Sequence, residues 1–293
     1  MLYPLKFRPR LVEKIWGGRR LETALGRPLP TGKLIGESWE LYDFPPGTVD
    51  NSGQWISSEI ANGPLAGRTL HSVIEEFGRA LQGDVALLAG GQFPILIKYL
   101  DAKENSSVQV HPGTNLESKA WYVVENDPGA RLYKGLRAGI RREQFRQAIA
   151  DGTAESLMTA IPIKPGQCFC LPSGMIHALG AGTLVAEMQT PSDTTFRVFD
   201  FNRIDPATGK PRELQVDEAL ACIDFDNKEE PQPPRSHVAG VFTTVTRLVS
   251  CPAFKVEKVR FIEGIEEPVP YDEPVVWMML QGQAEVKVDG MRQ

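Results

Sequence analysis

The chain has 293 residues, and 32 basic against 37 acidic side chains give it a formal net charge of −5. An acidic balance argues against binding nucleic acid or an anionic membrane surface. With 42% hydrophobic residues and no low-complexity tract, fibrous and disordered classes are excluded.

At about 150 residues per domain the length suits one large or two modest units. The 27 glycines and 23 prolines favour many turns and short strands. The start, MLYPLKFRPR, has no apolar signal-peptide core. Apolar runs such as Val275 to Leu280 fall far below the ~18 residues of a membrane span. Four cysteines without a CxxC pair fit a reducing compartment, so a cytoplasmic location is expected. Cys168 and Cys170 share one side of a strand and read as small buried thiols.

In chain order, Leu70, Val73, Ile74, Phe77 and Leu81 recur at three and four residues, which predicts a helix over 69–82. Strands follow at Ile95 to Leu100, Ser106 to His111, Trp121 to Val124 and Arg131 to Lys134. A second helical region spans 140–161, broken at Asp151-Gly152 and resuming from Glu155. Further strands are predicted at Gln167 to Leu171, Leu184 to Gln189 and Thr194 to Asp200. Glycine and proline turns separate them, which favours a sandwich or jelly roll. The segment NKEEPQPPRS, 227–236, reads as a linker between a catalytic domain, 1–226, and a partial second β unit, 237–293. In that unit Phe254 to Ile262 alternates, and Val275 to Leu280 with Ala284 to Val288 predicts a hairpin. With fewer than 60 residues the unit is expected to lean on the first, its last strand an open edge or completed by a partner.

Of the four histidines, His71 and His237 read as packing or surface groups, whereas the other two have company. In SSVQVH, period two puts Gln109 and His111 on one face and Val108 and Val110 on the other. His177 closes the run from Gly166 through Pro172 and Gly174, a spacing that resembles the second cupin signature. The turns aim its side chain back toward a barrel mouth. Two imidazoles and an oxygen donor on a β scaffold suit a divalent metal, Zn²⁺ before Fe²⁺ or Mn²⁺. Glu187 shares a face with Val185 and Gln189, an inward acid in an apolar strand. With Arg197 it reads either as a buried ion pair or as an acid/base group beside a cation that holds an anionic substrate. Lys98, inside the apolar stretch Pro94 to Leu100, is a second inward cation.

These residues and their neighbours resemble the type I mannose-6-phosphate isomerases in their short microbial form. The resemblance rests on IWGGRRL (15–21), IGESWELYD (35–43), FPILIKYLDAKENSSVQVHP (93–112), AWYVV (120–124), DPGARLYKGL (127–136) and LPSGMIHALGAGTLVAEMQTPSDTTFRVFDFNR (171–203). It implies a mainly β, cupin-type jelly roll with inserted helices and a truncated second cupin-like unit. It also implies one Zn²⁺ per chain and an aldose–ketose isomerase that interconverts mannose 6-phosphate and fructose 6-phosphate through a metal-assisted enediol. Carried over, the metal ligands fall on Gln109, His111 and His177, the catalytic residues on Arg197 and Glu187, and contacts to a phosphorylated hexose on Lys98 and Asp193. Glu187 is expected to be the base and Arg197 an electrostatic clamp.

One departure bears on the chemistry. The family's remaining ligand is a glutamate two residues before the strand tryptophan, and here that position is Lys119; the nearest acid is Glu117. An ammonium ~5 Å from a dication is repelled by on the order of 6 kcal/mol at an effective dielectric of ~20. Three outcomes are open: Glu117 ligates through a bulge, Zn²⁺ is held weakly by three ligands, or Lys119 takes the metal's place. Gln215 also stands where the resemblance leads one to expect a histidine. A non-catalytic or weakly active sugar-phosphate-binding cupin with a degraded metal site is the alternative reading, and the oligomeric state is left open.

Overall fold

The computed structural model describes residues 2–45, 47–49, 56–112, 118–191, 195–226, 236–240, 242–288 and 291–292. Two antiparallel sheets face one another. The larger is built from β1 (Arg10–Gly18), β2 (Ile35–Leu41), β3 (Leu96–Ala102), β5 (Ser118–Asn126), β8 (Cys168–Pro172) and β10 (Thr183–Gln189), in the order β1-β2-β3-β10-β5-β8. The smaller contains β4 (Val108–Val110), β6 (Arg131–Leu136), β7 (Met158–Pro162), β9 (His177–Leu179) and β11 (Phe196–Phe199), in the order β11-β4-β9-β6-β7. This mainly β, cupin-type architecture agrees with the resemblance.

Alternation along the strands sorts side chains into three layers. Leu100, Val123, Leu171 and Val185 of the larger sheet meet Leu132 and Leu179 of the smaller one between the sheets. The outer face of the larger sheet carries Ile97, Tyr99, Tyr122, Ala186 and Met188. It is covered by α1 (Arg20–Leu25) and α2 (Leu70–Phe77), with α3 (Arg79–Gln82) following. The outer face of the smaller sheet carries Val108, Val110, Ala178 and Val198, under α4 (Arg142–Ala150) and α5 (Val216–Cys222). Because apolar layers take the outward residues near the site end, polar residues of the opposite parity are turned inward there.

Several local expectations change. β1 and β2 were not predicted: β1 is bulged near Val12 and Glu13, which breaks the alternation that marks a strand. The second helical region ends earlier than 161. After α4 only one 3₁₀ turn, Ala154–Leu157, forms, and Met158–Pro162 instead joins the sheet as β7 against β6. Thr159 and Ile161 are β-branched, and a neighbouring strand outweighs a weak helical period there. Cys168 and Cys170 are half-buried rather than buried.

After the short pair β12 (Ile204–Asp205) and β13 (Lys210–Pro211), most of the predicted linker, 227–235, lies outside the described residues. β14 (His237–Ala239), β15 (Thr243–Ser250) and β16 (Lys255–Phe261) form a three-stranded sheet. Val249, with half-buried Leu248, Phe254 and Val256, packs onto the outer face of the larger sheet. The predicted hairpin at 275–288 does not form among the described residues; Val275 to Leu280 is irregular. Met278 and Leu280 turn onto the same apolar layer, so burial of side chains rather than a strand ladder holds this stretch.

Candidate functional site

The register of the two sheets brings the polar residues together. In the larger sheet Trp39, Lys98, Glu187 and Trp121 lie side by side across β2, β3, β10 and β5. Gln189 and Lys119 form the next row. In the smaller sheet Arg197, Gln109, His177 and Lys134 are aligned across β11, β4, β9 and β6. Directly paired residues share a face, so both rows look into the space between the sheets.

A chain of contacts crosses that space. The Lys119 ammonium lies 3.1 Å from Glu187 Oε2 and donates to His111 Nε2 at 2.9 Å. Trp121 Nε1 donates to Glu187 Oε2 at 2.7 Å. Lys98 Nζ stands 3.8 Å from Glu187 Oε1 and 3.7 Å from Glu37 Oε2, over the Trp39 ring at 4.8 Å. The far nitrogen of His111, Nδ1, is 3.2 Å from Thr195 Oγ1.

His177 stacks on His111 with ring centroids 5.3 Å apart and meets Trp121 edge-on at 5.3 Å. Its Nδ1 faces the Met175 carbonyl oxygen at 2.9 Å, so Nδ1 carries the proton and Nε2 the lone pair. That Nε2 is buried with no hydrogen-bond partner.

The turn that delivers His177 needs Gly174. Its φ of +77° lies in the left-handed region, and a Cβ would meet the Cys222 carbonyl oxygen at 2.9 Å. Its own N–H donates to the carbonyl of His111 at 3.2 Å, which ties the two histidine-bearing strands. Gly174→Ala is therefore expected to cost about 1–3 kcal/mol, read as a lowered denaturant midpoint at unchanged slope.

Burial shapes the charges. It works against ionisation of Glu187, but Lys119 and Lys98, with the Trp121 N–H, bring its carboxyl down to about 2. Burial pushes Lys119 below the usual lysine value, while Glu187 pulls it back up. Burial, aided by the charge of Lys119, takes His177 down to about 3, so its imidazole is neutral near pH 7.

Arg197 faces the same space from β11 beside Gln109. Its Nη1 donates to the Glu213 carbonyl at 2.8 Å, and its Nε is buried without a partner. Gln215 braces its backbone, with Oε1 accepting from the Arg197 N–H at 3.0 Å. The Asp193 and Glu117 positions lie outside the described residues. His71 is buried, 3.1 Å from Asp43, and His237 is exposed beside Thr246, as packing and surface roles require.

Glu37, Trp39 and Thr195 belong to the same network and were not singled out in the sequence. Glu37 and Trp39 had a usable signal, an acid and an indole two apart within the buried run Ile35–Leu41. Thr195 had none.

The residues present can be tested against the Zn²⁺ that the resemblance implies. Gln109 Nε2 donates to Ser107 Oγ at 3.0 Å, and His111 Nε2 is engaged by the Lys119 amine. His177 Nε2 alone keeps an open buried lone pair. Among the described residues no three His, Cys, Asp or Glu side chains converge as a metal site would need. The arrangement places an ammonium where a dication requires a carboxylate, and so does not fit the ion.

Comparison with known proteins then identifies the lineage. The family described as phosphomannose isomerase type I, catalytic domain, matches residues 5–130. A mannose-6-phosphate isomerase from Streptococcus mutans is 34% identical over 299 residues, spanning 98% of this chain and 88% of that protein. The crystal structure of the mannose 6-phosphate isomerase from Bacillus subtilis superposes with a TM-score of 0.76 at 32% identity, covering 88% of this chain and 80% of that one. A zinc-bound mannose 6-phosphate isomerase shares the fold at a TM-score of 0.58 and 16% identity, covering 85% of this chain and 80% of its own. No helix among the described residues is long and apolar enough to cross a membrane. At this identity and coverage, the chain belongs to the type I phosphomannose isomerase family and is an enzyme of that kind.

Proposed function

We propose that the enzyme interconverts mannose 6-phosphate and fructose 6-phosphate through an enediol, within the space between the two sheets. The observation that carries this reading is the buried Glu187 carboxylate, flanked by two lysine ammonium groups and an indole N–H, beside a second row that holds Arg197. An aldose–ketose shift needs one group that moves a proton between neighbouring carbons and donors that hold charge on the neighbouring oxygens.

Glu187 takes the proton from C2 of the aldose and returns it to C1, while the first oxygen gains a proton and the second loses one. With its carboxyl brought down to about 2, it stays in the accepting, ionised form across physiological pH. Sugar oxygens that compete for Lys98 and Lys119 weaken their hold on the carboxylate and restore basicity where it is needed. Lys98 and Asp193 are assigned to hydroxyl or phosphate contacts, and Arg197 to the phosphate charge. The resemblance assigns Gln109, His111 and His177 to Zn²⁺, with Glu117 as the nearest acid for the remaining position. Because the arrangement of Lys119 does not suit that ion, no step is routed through it.

The test is a coupled assay on mannose 6-phosphate together with turnover in deuterated water. Conversion with deuterium entering C2 of recovered mannose 6-phosphate or C1 of the fructose 6-phosphate formed supports the enediol. Conversion with complete retention of the original hydrogen and no exchange at any substrate concentration points to direct hydride migration instead. A folded protein that converts no phosphohexose overturns the proposal.

A further inference from the structure

We infer that this centre works without a metal, because the Lys119 side chain takes the position of the divalent cation and supplies the positive charge itself. The catalytic part of this inference rests on the isomerase reading above; the part concerning metal does not.

Three observations carry it. The Lys119 amine is placed between the two sheets, donating to His111 Nε2 at 2.9 Å and lying 3.1 Å from Glu187 Oε2. It therefore occupies the one nitrogen of His111 that faces the larger sheet, while the other nitrogen is 3.2 Å from Thr195 Oγ1. Both imidazole nitrogens are thus committed, and a metal could reach His111 only by displacing the lysine.

The carboxylates here are also fully engaged, two of them against three ammonium groups. Glu187 and Glu37 face Lys98 and Lys119, with Lys14 a further 3.0 Å partner of Glu37. A dication added here would have no carboxylate left to neutralise it among the described residues. Lys119 is almost fully buried, and a buried ammonium persists only where it is paired and hydrogen-bonded, as this one is.

Chemically, an ammonium in this place does part of what a Lewis acid does. It donates a hydrogen bond to the sugar's carbonyl oxygen and to the oxygen charge that develops in the enediolate, at a site closed to bulk water. His177, neutral and with its Nε2 lone pair open, can accept from the adjacent hydroxyl proton of the substrate. The two ring systems remain stacked at 5.3 Å, now as hydrogen-bonding groups rather than as ligands.

The full chain, purified from zinc-supplemented medium and desalted, tests this by elemental analysis and by calorimetric titration with Zn²⁺. Wild type is expected to carry far less than one equivalent and to show no saturable binding, and its isomerase rate is expected to be unchanged by a chelator. Lys119→Glu is expected to take up one equivalent of Zn²⁺. Lys119→Met, checked by thermal melting for folding, is expected to bind none and to lose turnover by ~10²-fold or more.

Stoichiometric zinc in wild type, kept in Lys119→Met and lost in Glu117→Gln, overturns the inference and leaves the isomerase reading standing. A Lys119→Glu protein that still binds no Zn²⁺ overturns it as well. Metal-free wild type that gains zinc on Lys119→Glu but converts no phosphohexose upholds the cation replacement and sinks the isomerase reading.

Discussion

Glu187→Gln is expected to be the most damaging single substitution in the molecule, for activity and stability together. Its carboxylate is 2% exposed and faces Lys119 at 3.1 Å and Lys98 at 3.8 Å. The amide that replaces it keeps the shape and an acceptor for Trp121 Nε1, but not the charge. Removing one partner of a buried ion pair costs about 3–5 kcal/mol, because the other charge is left without compensation. At about 2–4 °C per kcal/mol for a chain of this class, the melting temperature should fall by on the order of 10 °C. Loss of the proton carrier should lower kcat by ~10²–10⁴-fold. Differential scanning calorimetry and the coupled assay read the two effects separately. A normal melting temperature would mean that the lysines are stabilised by other groups, and a normal kcat would remove Glu187 from the reaction.

The second large effect is acid destabilisation centred on His177. In the fold its value is lowered from 6.5 to about 3, so between those limits the unfolded chain binds a proton that the native state refuses. Stability therefore rises with pH across this interval and is lost as pH falls below about 6.5. At 1.36 kcal/mol per pH unit the full loss is on the order of 5 kcal/mol, and at pH 4 it is about 3 kcal/mol. Glu187 adds to the acid side with the same sign. Its value is lowered from 4.5 to about 2, so its stabilisation is present above pH 4.5 and disappears as pH drops toward 2. Urea unfolding at pH 7 and pH 4 measures the difference. His177→Gln should be less stable than wild type at pH 7 but should lose much less between the two pH values. A variant with the same pH slope as wild type would move the acid sensitivity to other groups.

Both effects arise from one arrangement. A buried carboxylate and an open imidazole are kept in single protonation states by their surroundings, and two ammonium groups provide the compensation. The same burial that makes the groups useful makes the fold vulnerable when either is altered, as expected where polar groups are enclosed for function.

Much of the fold was legible along the chain. Strands β3 to β6, β8, β10 and β11 follow the alternation of apolar residues, whereas the three-residue β9 is too short to show it; a half-buried sheet imposes period two on any sequence that forms it. Gln109 and His111 could be placed on one face for the same reason, and the turn through Gly174 fixes the aim of His177 locally. Failures occurred where long-range partners decide. Met158–Pro162 became a strand because β6 was there to pair with it, and Val275 to Leu280 stayed irregular while its side chains found an apolar layer. β1 and β2 were hidden by bulges and mixed polarity.

The amino-acid order alone determined which side chains turn inward, because parity along a strand and the conformation of a tight turn are local properties. It also places a lysine where the family resemblance leads one to expect an acid. Only the tertiary structure decided what that lysine does. Whether Lys119 swings aside or seats its amine between Glu187 and His111 depends on the register of β5 against β10 and on the approach of a second sheet. Those contacts join residues far apart in the chain, and no local pattern encodes the few ångströms that separate a ligand sphere from an ion pair.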